Sequence, residues 1–132
     1  MKKLIVDLDG TITLGNNSNY IEVSPNKDVV EKLREYKKEG FSIVISTARN
    51  MRTYSGNVGE INIHTLPTIL TWLDKHQVPY DEVLVGKPWC GFEGFYIDDK
   101  AIRPSEFVAM THEEIINLLE KENKNKDSGN EK

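Results

Sequence analysis

The sequence predicts an α/β layered fold with a mainly parallel sheet, and three observations predict it. Short apolar runs of strand length alternate along the chain with stretches that are apolar at helical spacing. The interval between the first two runs leaves room for one crossover helix, which calls for parallel pairing. Four of the runs lead into polar residues able to carry chemistry, and open α/β sheets bind ligands beyond the carboxyl ends of their strands.

The first run, Leu4-Ile5-Val6, reads as a strand buried on both faces and ends abruptly in Asp7-Leu8-Asp9-Gly10-Thr11. Residues 12–23 are polar and turn-rich, a loop or small hairpin lying over the end of that strand. Ser24-Pro25 resembles a helix start, with serine as N-cap and proline first in the helix. Val29, Val30, Leu33 and Tyr36 follow at helical spacing, and Gly40 stops the helix. Residues 41–46 are the second buried strand, with Thr47 just past its end. Residues 48–64 read as a long polar connection, and connections of this length are often functional. A helix follows from Thr65, with Leu66, Ile69, Leu70 and Leu73 on one face. Residues 83–85 form a third strand before Gly86-Lys87-Pro88, and residues 95–97 a fourth that ends in Asp98-Asp99. Thr111 and Glu114 make a capping box for a last helix through Leu119. Residues 1–120 are thus one domain, and the Lys/Glu/Asn-rich residues 121–132 are expected to be a flexible charged tail.

Bulk properties exclude several classes. A net charge of −4 argues against non-specific nucleic-acid binding, which needs a basic face. No run of about 18 apolar residues is present, so no membrane span is expected. One cysteine, Cys90, allows no internal disulfide and suits a reducing, cytoplasmic setting. It has no evident partner in the sequence and reads as inert packing. His64, His76 and His112 are scattered and make no metal pattern.

The chemistry concentrates at strand ends. A core strand that finishes in two carboxylates must pair them, protonate them or bind a metal. Asp7, Thr47, Lys87 and Asp98 each follow a different predicted strand and would converge on one pocket. Their plain alternatives are surface acids closing a turn, a structural threonine, with Ser46 competing for its role, a solvated loop lysine and a strand-to-loop cap. Arg49 and Arg52 either contact an anionic substrate or are solvated. Trp89 and Phe92 either stack on a ligand or cover the core.

The ordered set Asp7-Leu8-Asp9-Gly10-Thr11, Thr47, Lys87 and Asp98-Asp99 resembles the haloacid dehalogenase (HAD) superfamily. Ser46-Thr47-Ala48-Arg49-Asn50 and Val85-Gly86-Lys87-Pro88-Trp89-Cys90-Gly91 are similar to its small bacterial capsule-biosynthesis phosphatases. The resemblance implies a three-layer Rossmann-like fold without a cap domain and a Mg2+-dependent phosphatase. Asp7 would be the nucleophile, forming an aspartyl-phosphate, and Asp9 the general acid and base. Lys87 and Thr47 complete the catalytic set. Leu8, Gly10, Thr11, Ala48 and Arg49 join Thr47 and Lys87 around the phosphoryl group, in part through backbone N–H groups. The metal set is Asp7, Asp9 through its main-chain carbonyl, and Asp98. Asp99 stands beside them, orienting Lys87 or a metal-bound water. Three carboxylates about 5 Å apart repel by roughly 3 kcal/mol per pair at an effective dielectric near 20, which a hard divalent cation relieves. The implied substrate is a small phosphorylated metabolite, a sugar phosphate or capsule precursor. An open, capless site implies a homo-oligomer covering it or an extended substrate. The competing class is a phospho-accepting regulatory or binding domain, of receiver-like or catalytically silent type. Against a receiver, residues 83–85 lead into Gly86-Lys87, with no acid to accept phosphate.

Overall fold

The computed structural model describes residues 2–15 and 19–130, so Asn16, Asn17 and Ser18 of the expected turn lie outside the described residues. Two compact units divide the chain, Met1–Trp89 and Cys90–Lys132.

The first unit is built on three strands in the order β1-β2-β3, all parallel: β1 (Lys3–Asp7), β2 (Ser42–Thr47) and β3 (Glu82–Val85). Asp7 pairs with Ser46 and Thr47 with Val85, so the three strands end at one rim. Between β1 and β2 runs α1 (Lys27–Lys38), which buries the expected Val29, Val30, Leu33 and Tyr36. Gly40 follows it with φ 93°, a left-handed turn that glycine enters without a Cβ penalty. The helix starts later than Ser24-Pro25 implied. Pro25 is bridged to Thr13, so the chain is still extended there, and Asn26 caps instead, its Oδ1 accepting from Val29 N at 3.4 Å. The stretch foreseen as a loop or small hairpin is thus flanked by one isolated antiparallel bridge.

The connection from β2 to β3 is more ordered than its polarity suggested. Turns lead to α2 (Val58–His64), capped by the Asn57 side chain, and then to α3 (Leu66–Lys75). On α3 the buried residues are Ile69, Trp72 and Leu73; the indole Nε1 of Trp72 donates to the Val23 carbonyl at 2.9 Å. Neither the stretch from β1 to α1 nor that from β2 to α2 holds an inserted module among the described residues, so the fold has no cap.

Two expectations for the sheet are corrected. β1 is not buried on both faces: Ile5 is 62% exposed, and Leu84, on the same face two strands away, is 49% exposed. The core lies on the opposite face, around Ile43 and Ile45. Residues 95–97 form no strand, and among the described residues the sheet has three strands, not four. A strand exists only where a neighbouring backbone pairs with it, and Phe95 (76%) and Ile97 (88%) are exposed.

In the second unit are α4 (Pro104–Ala109), unforeseen, and α5 (His112–Asn130). The predicted capping box opens α5: Glu114 N–H donates to Thr111 Oγ1 at 3.2 Å and Thr111 N–H to Glu114 Oε1 at 2.9 Å. The helix continues to Asn130, beyond the expected stop at Leu119. Among the described residues no helix is long and apolar enough to cross a membrane. Trp89 and Phe92 are exposed rather than covering the core.

Candidate active site

The rim of the sheet is organised by the turn that follows β1. A single tight turn, Leu8–Ile12, is closed by Thr13 N–H donating to the Leu8 carbonyl at 3.0 Å. Gly10 occupies φ 82°, where other residues are strained. Its N–H donates to Thr13 Oγ1 at 3.1 Å, and Thr13 Oγ1 donates to the Gly15 carbonyl at 3.1 Å. The Gly10 amide, expected to face a phosphoryl group, is therefore engaged within the turn. Leu8 is buried, and the Ala48 carbonyl accepts from Met51 N at 3.0 Å.

Asp7 is held from two sides. Thr11 Oγ1 donates to its Oδ2 at 3.2 Å, and Lys87 Nζ lies 3.3 Å from its Oδ1. Its side chain is still 37% exposed, so an oriented carboxylate faces solvent. Lys87 reaches it from just beyond β3 because its own N–H donates to the Thr47 carbonyl at 3.1 Å, prolonging the ladder by one bond. Gly86, at φ 87°, makes the bend.

Asp9 and Arg49 form the second pair. Arg49 Nε donates to Asp9 Oδ2 at 3.0 Å and Nη2 to Oδ1 at 2.7 Å, a two-pronged fork. The arginine side chain is 1% exposed and the aspartate 21%. The guanidinium also lies over the Tyr20 ring, 4.1 Å from its centroid, and its Nη1 is buried without a hydrogen-bond partner. Of the two readings open for Arg49, the solvated one is overturned. Thr47 is buried, and its Oγ1 accepts the Arg49 N–H at 3.0 Å. Thr47 rather than Ser46 is thus the residue tied to both cations. Arg52 is exposed.

Beside Arg49 a cleft of about 500 Å3 is lined by Tyr20, Asn50, His64, Thr65 and Thr68. Thr65 Oγ1 donates to Asn50 Oδ1 at 2.7 Å, and His64 stacks on Tyr54 with ring centroids 5.5 Å apart. Tyr20 and Thr65 were not legible in the sequence as part of the site, and Asn50 appeared only as the last residue of the Ser46–Asn50 motif.

Asp98 and Asp99 belong to the second unit. Asp98 Oδ1 accepts from Lys100 N–H at 2.7 Å, the geometry of a local turn cap. Among the described residues no three His, Cys, Asp or Glu side chains gather as a metal-holding group. Within the first unit, Asp7 offers a carboxylate and Asp9, both of whose oxygens are taken by Arg49, offers its main-chain carbonyl. That donor set suits Mg2+, which takes one or two carboxylates and fills its remaining positions with water and phosphate oxygen.

A parallel sheet with an acid, a lysine and a threonine at its carboxyl rim defines the protein as Rossmann-like in class. A model of the haloacid dehalogenase-like hydrolases matches residues 4–128, and the chain belongs to that family. A crystal structure from Vibrio cholerae is 73% identical over 92% of this chain and 99% of that one, with a TM-score of 0.91. Weaker likenesses are to a chain of the Pnkp1/Rnl/Hen1 complex (22% identity, 83% of this chain, 34% of that one, TM-score 0.49) and to a D,D-heptose 1,7-bisphosphate phosphatase from B. bronchiseptica complexed with magnesium and phosphate (13% identity, 72% of this chain, 56% of that one, TM-score 0.45). No protein of curated function matches the sequence.

Proposed function

We propose that this hydrolase is a phosphatase that cleaves a phosphate monoester through an aspartyl-phosphate on Asp7. The observation that carries the reading is the Asp7 carboxylate, oriented by Thr11 and Lys87 yet open to solvent. In the first step an Asp7 oxygen attacks phosphorus and the ester oxygen departs with the bridging electron pair. Asp9 hands that oxygen its proton, then takes one from the water that hydrolyses the acyl phosphate. For this Asp9 must leave the Arg49 fork, so Arg49 is a positioning residue. Lys87 and Thr47 offset charge on the phosphoryl oxygens. Asp7 and the Asp9 main-chain carbonyl would hold Mg2+, which would supply electrostatic stabilisation of the phosphoryl group. The substrate is a phosphorylated metabolite small enough for the cleft beside Arg49, a sugar phosphate being the class that the motif resemblance favours.

Turnover of a fluorogenic phosphate ester with Mg2+ tests the reading. Asp7→Asn should abolish it, whereas Asp9→Asn should bind phosphate but hydrolyse at least a hundredfold more slowly, the contribution expected of a general acid. Equal rates in wild type and Asp7→Asn would refute the nucleophile.

A further inference from the structure

We propose that the cleft beside Arg49 holds a carboxylate carried by the leaving group, so that the substrate is a phosphate monoester of a hydroxy acid, sugar acids included. The inference rests on the phosphatase reading for where the leaving group lies, and on the geometry of Arg49 for what that group carries. In that reading Asp9 protonates the ester oxygen, and Arg49 is joined to Asp9 at 3.0 and 2.7 Å. The atoms that follow the ester oxygen therefore run toward Arg49, which with Asn50 and Thr65 lines the cleft of about 500 Å3.

A guanidinium has two edges able to form a fork, and Asp9 takes the one made by Nε and Nη2. The edge left for the cleft is that of Nη1 with the second N–H of Nη2. Nη1 is buried without a hydrogen-bond partner, on a side chain 1% exposed. A buried donor left unpaired is costly, and an acceptor brought by a ligand removes that cost. The edge is also held in advance: Asp9 fixes the head of the side chain, the Tyr20 ring lies 4.1 Å from it, and Thr47 Oγ1 accepts the Arg49 N–H at 3.0 Å. Little ordering is then left for the ligand to impose.

The charge of the cleft selects the ligand. No acid lines it, although the chain has a net charge of −4. Asn50 turns its Oδ1 to the Thr65 hydroxyl at 2.7 Å, which fixes its Nδ2 as a donor; that nitrogen gives one N–H to Thr53 Oγ1 at 3.1 Å and keeps another. Two coplanar N–H groups on one guanidinium edge match the two oxygens of a carboxylate. A second phosphate dianion would call for a further cation, and neither a lysine nor a second arginine lines the cleft.

The test compares 3-phosphoglycerate with glycerol 3-phosphate, which differ by a carboxylate in place of a hydroxymethyl group. Wild type with Mg2+ should favour the carboxylate ester by roughly tenfold or more in kcat/KM, the worth of hydrogen bonds to a charged group. Arg49→Lys keeps a charge for Asp9 but has no second edge, and the ratio should fall below about threefold. Asn50→Asp keeps the acceptor for Thr65 and suits the backbone φ of 62°, but it adds a negative charge to the cleft. It should bring the ratio to about one or below. Each ratio is taken within one protein, so a general loss of activity cancels. Calorimetric affinities of the two esters for Asp7→Asn protein, alone and with each substitution, should follow the same order. Equal kcat/KM for the two esters in wild type, or a ratio that neither substitution moves, overturns the carboxylate subsite and leaves the phosphatase reading intact. Glycerol 1,3-bisphosphate cleaved faster than 3-phosphoglycerate overturns it in favour of a second phosphate. If wild type cleaves no ester but the Arg49-dependent affinity persists, the subsite stands and the phosphatase reading alone fails. With neither turnover nor selective binding, both fall.

Discussion

Replacing Arg49 by methionine removes the most buried charge at the rim while keeping most of its apolar volume. Two charge-assisted hydrogen bonds, at 3.0 and 2.7 Å, and the stacking on Tyr20 are lost together. Breaking a fully buried ion pair from one side costs about 3–5 kcal/mol. Asp9 is 21% exposed, so water compensates part of its loss and the pair's share falls to about 2–3 kcal/mol. The lost cation–π contact adds roughly 0.5–1 kcal/mol, and removing the unpartnered Nη1 returns a similar amount. The net is about 2–3 kcal/mol. At an unfolding entropy of about 2.1 cal/mol/K per residue over 132 residues, Tm should fall by roughly 7–11 °C in scanning calorimetry. A double-mutant cycle with Asp9→Asn should give a coupling energy above about 1.5 kcal/mol. Coupling below about 0.5 kcal/mol would mean that the fork contributes nothing and that Arg49 acts only through packing.

Other outcomes follow from separate contacts. The Lys37 ammonium, 2.6 Å from Asp81 Oδ1, and the Ile43 N–H, 2.8 Å from Oδ2, hold the Asp81 carboxyl below its ordinary value of 3.8. A depressed acid contributes stability above its unfolded pKa and loses it as pH falls through the folded one. Asp81→Asn should therefore lower Tm at pH 7 by an amount that shrinks below pH 3.8; a gap constant down to pH 2 would contradict this. Trp72→Phe strands the Val23 carbonyl in the core and should cost about 1–3 kcal/mol in urea unfolding, with an unchanged m-value. Gly86→Ala meets both a positive φ and a Val58 Cγ2 only 2.9 Å from the new Cβ. It should destabilise by about 1–3 kcal/mol, and Val58→Ala should restore only the steric part, leaving the strain of about 1–2 kcal/mol.

What could be read in the sequence was local. The strand that ends in Asp7, the helix face of Val29, Val30, Leu33 and Tyr36, and the Thr111 capping box are each set by residues within one turn or one strand. Lys87 was legible as a strand-end residue, and it does meet Asp7. Arg49 was undecided because its partner, Asp9, is 40 residues away and nothing local distinguishes a buried arginine from a solvated one. The start of α1 was misjudged for a similar reason: Pro25 is committed to a bridge with Thr13, a contact outside its own helix. The fourth strand failed at the same level. Residues 95–97 have the composition of a strand, but a strand also needs an edge, and that is a property of the assembled sheet.

Thr47 anchors two cations that come from different connections, one through its hydroxyl and one through its carbonyl. Both bonds are made at the last rung of β2, before either connection has begun to wander. The backbones that carry the guanidinium and the ammonium are thereby both tied to the end of the central strand. Insertions or deletions after residue 50 or after residue 88 can reshape what surrounds the rim without moving the charges apart, which frees those two loops to diversify.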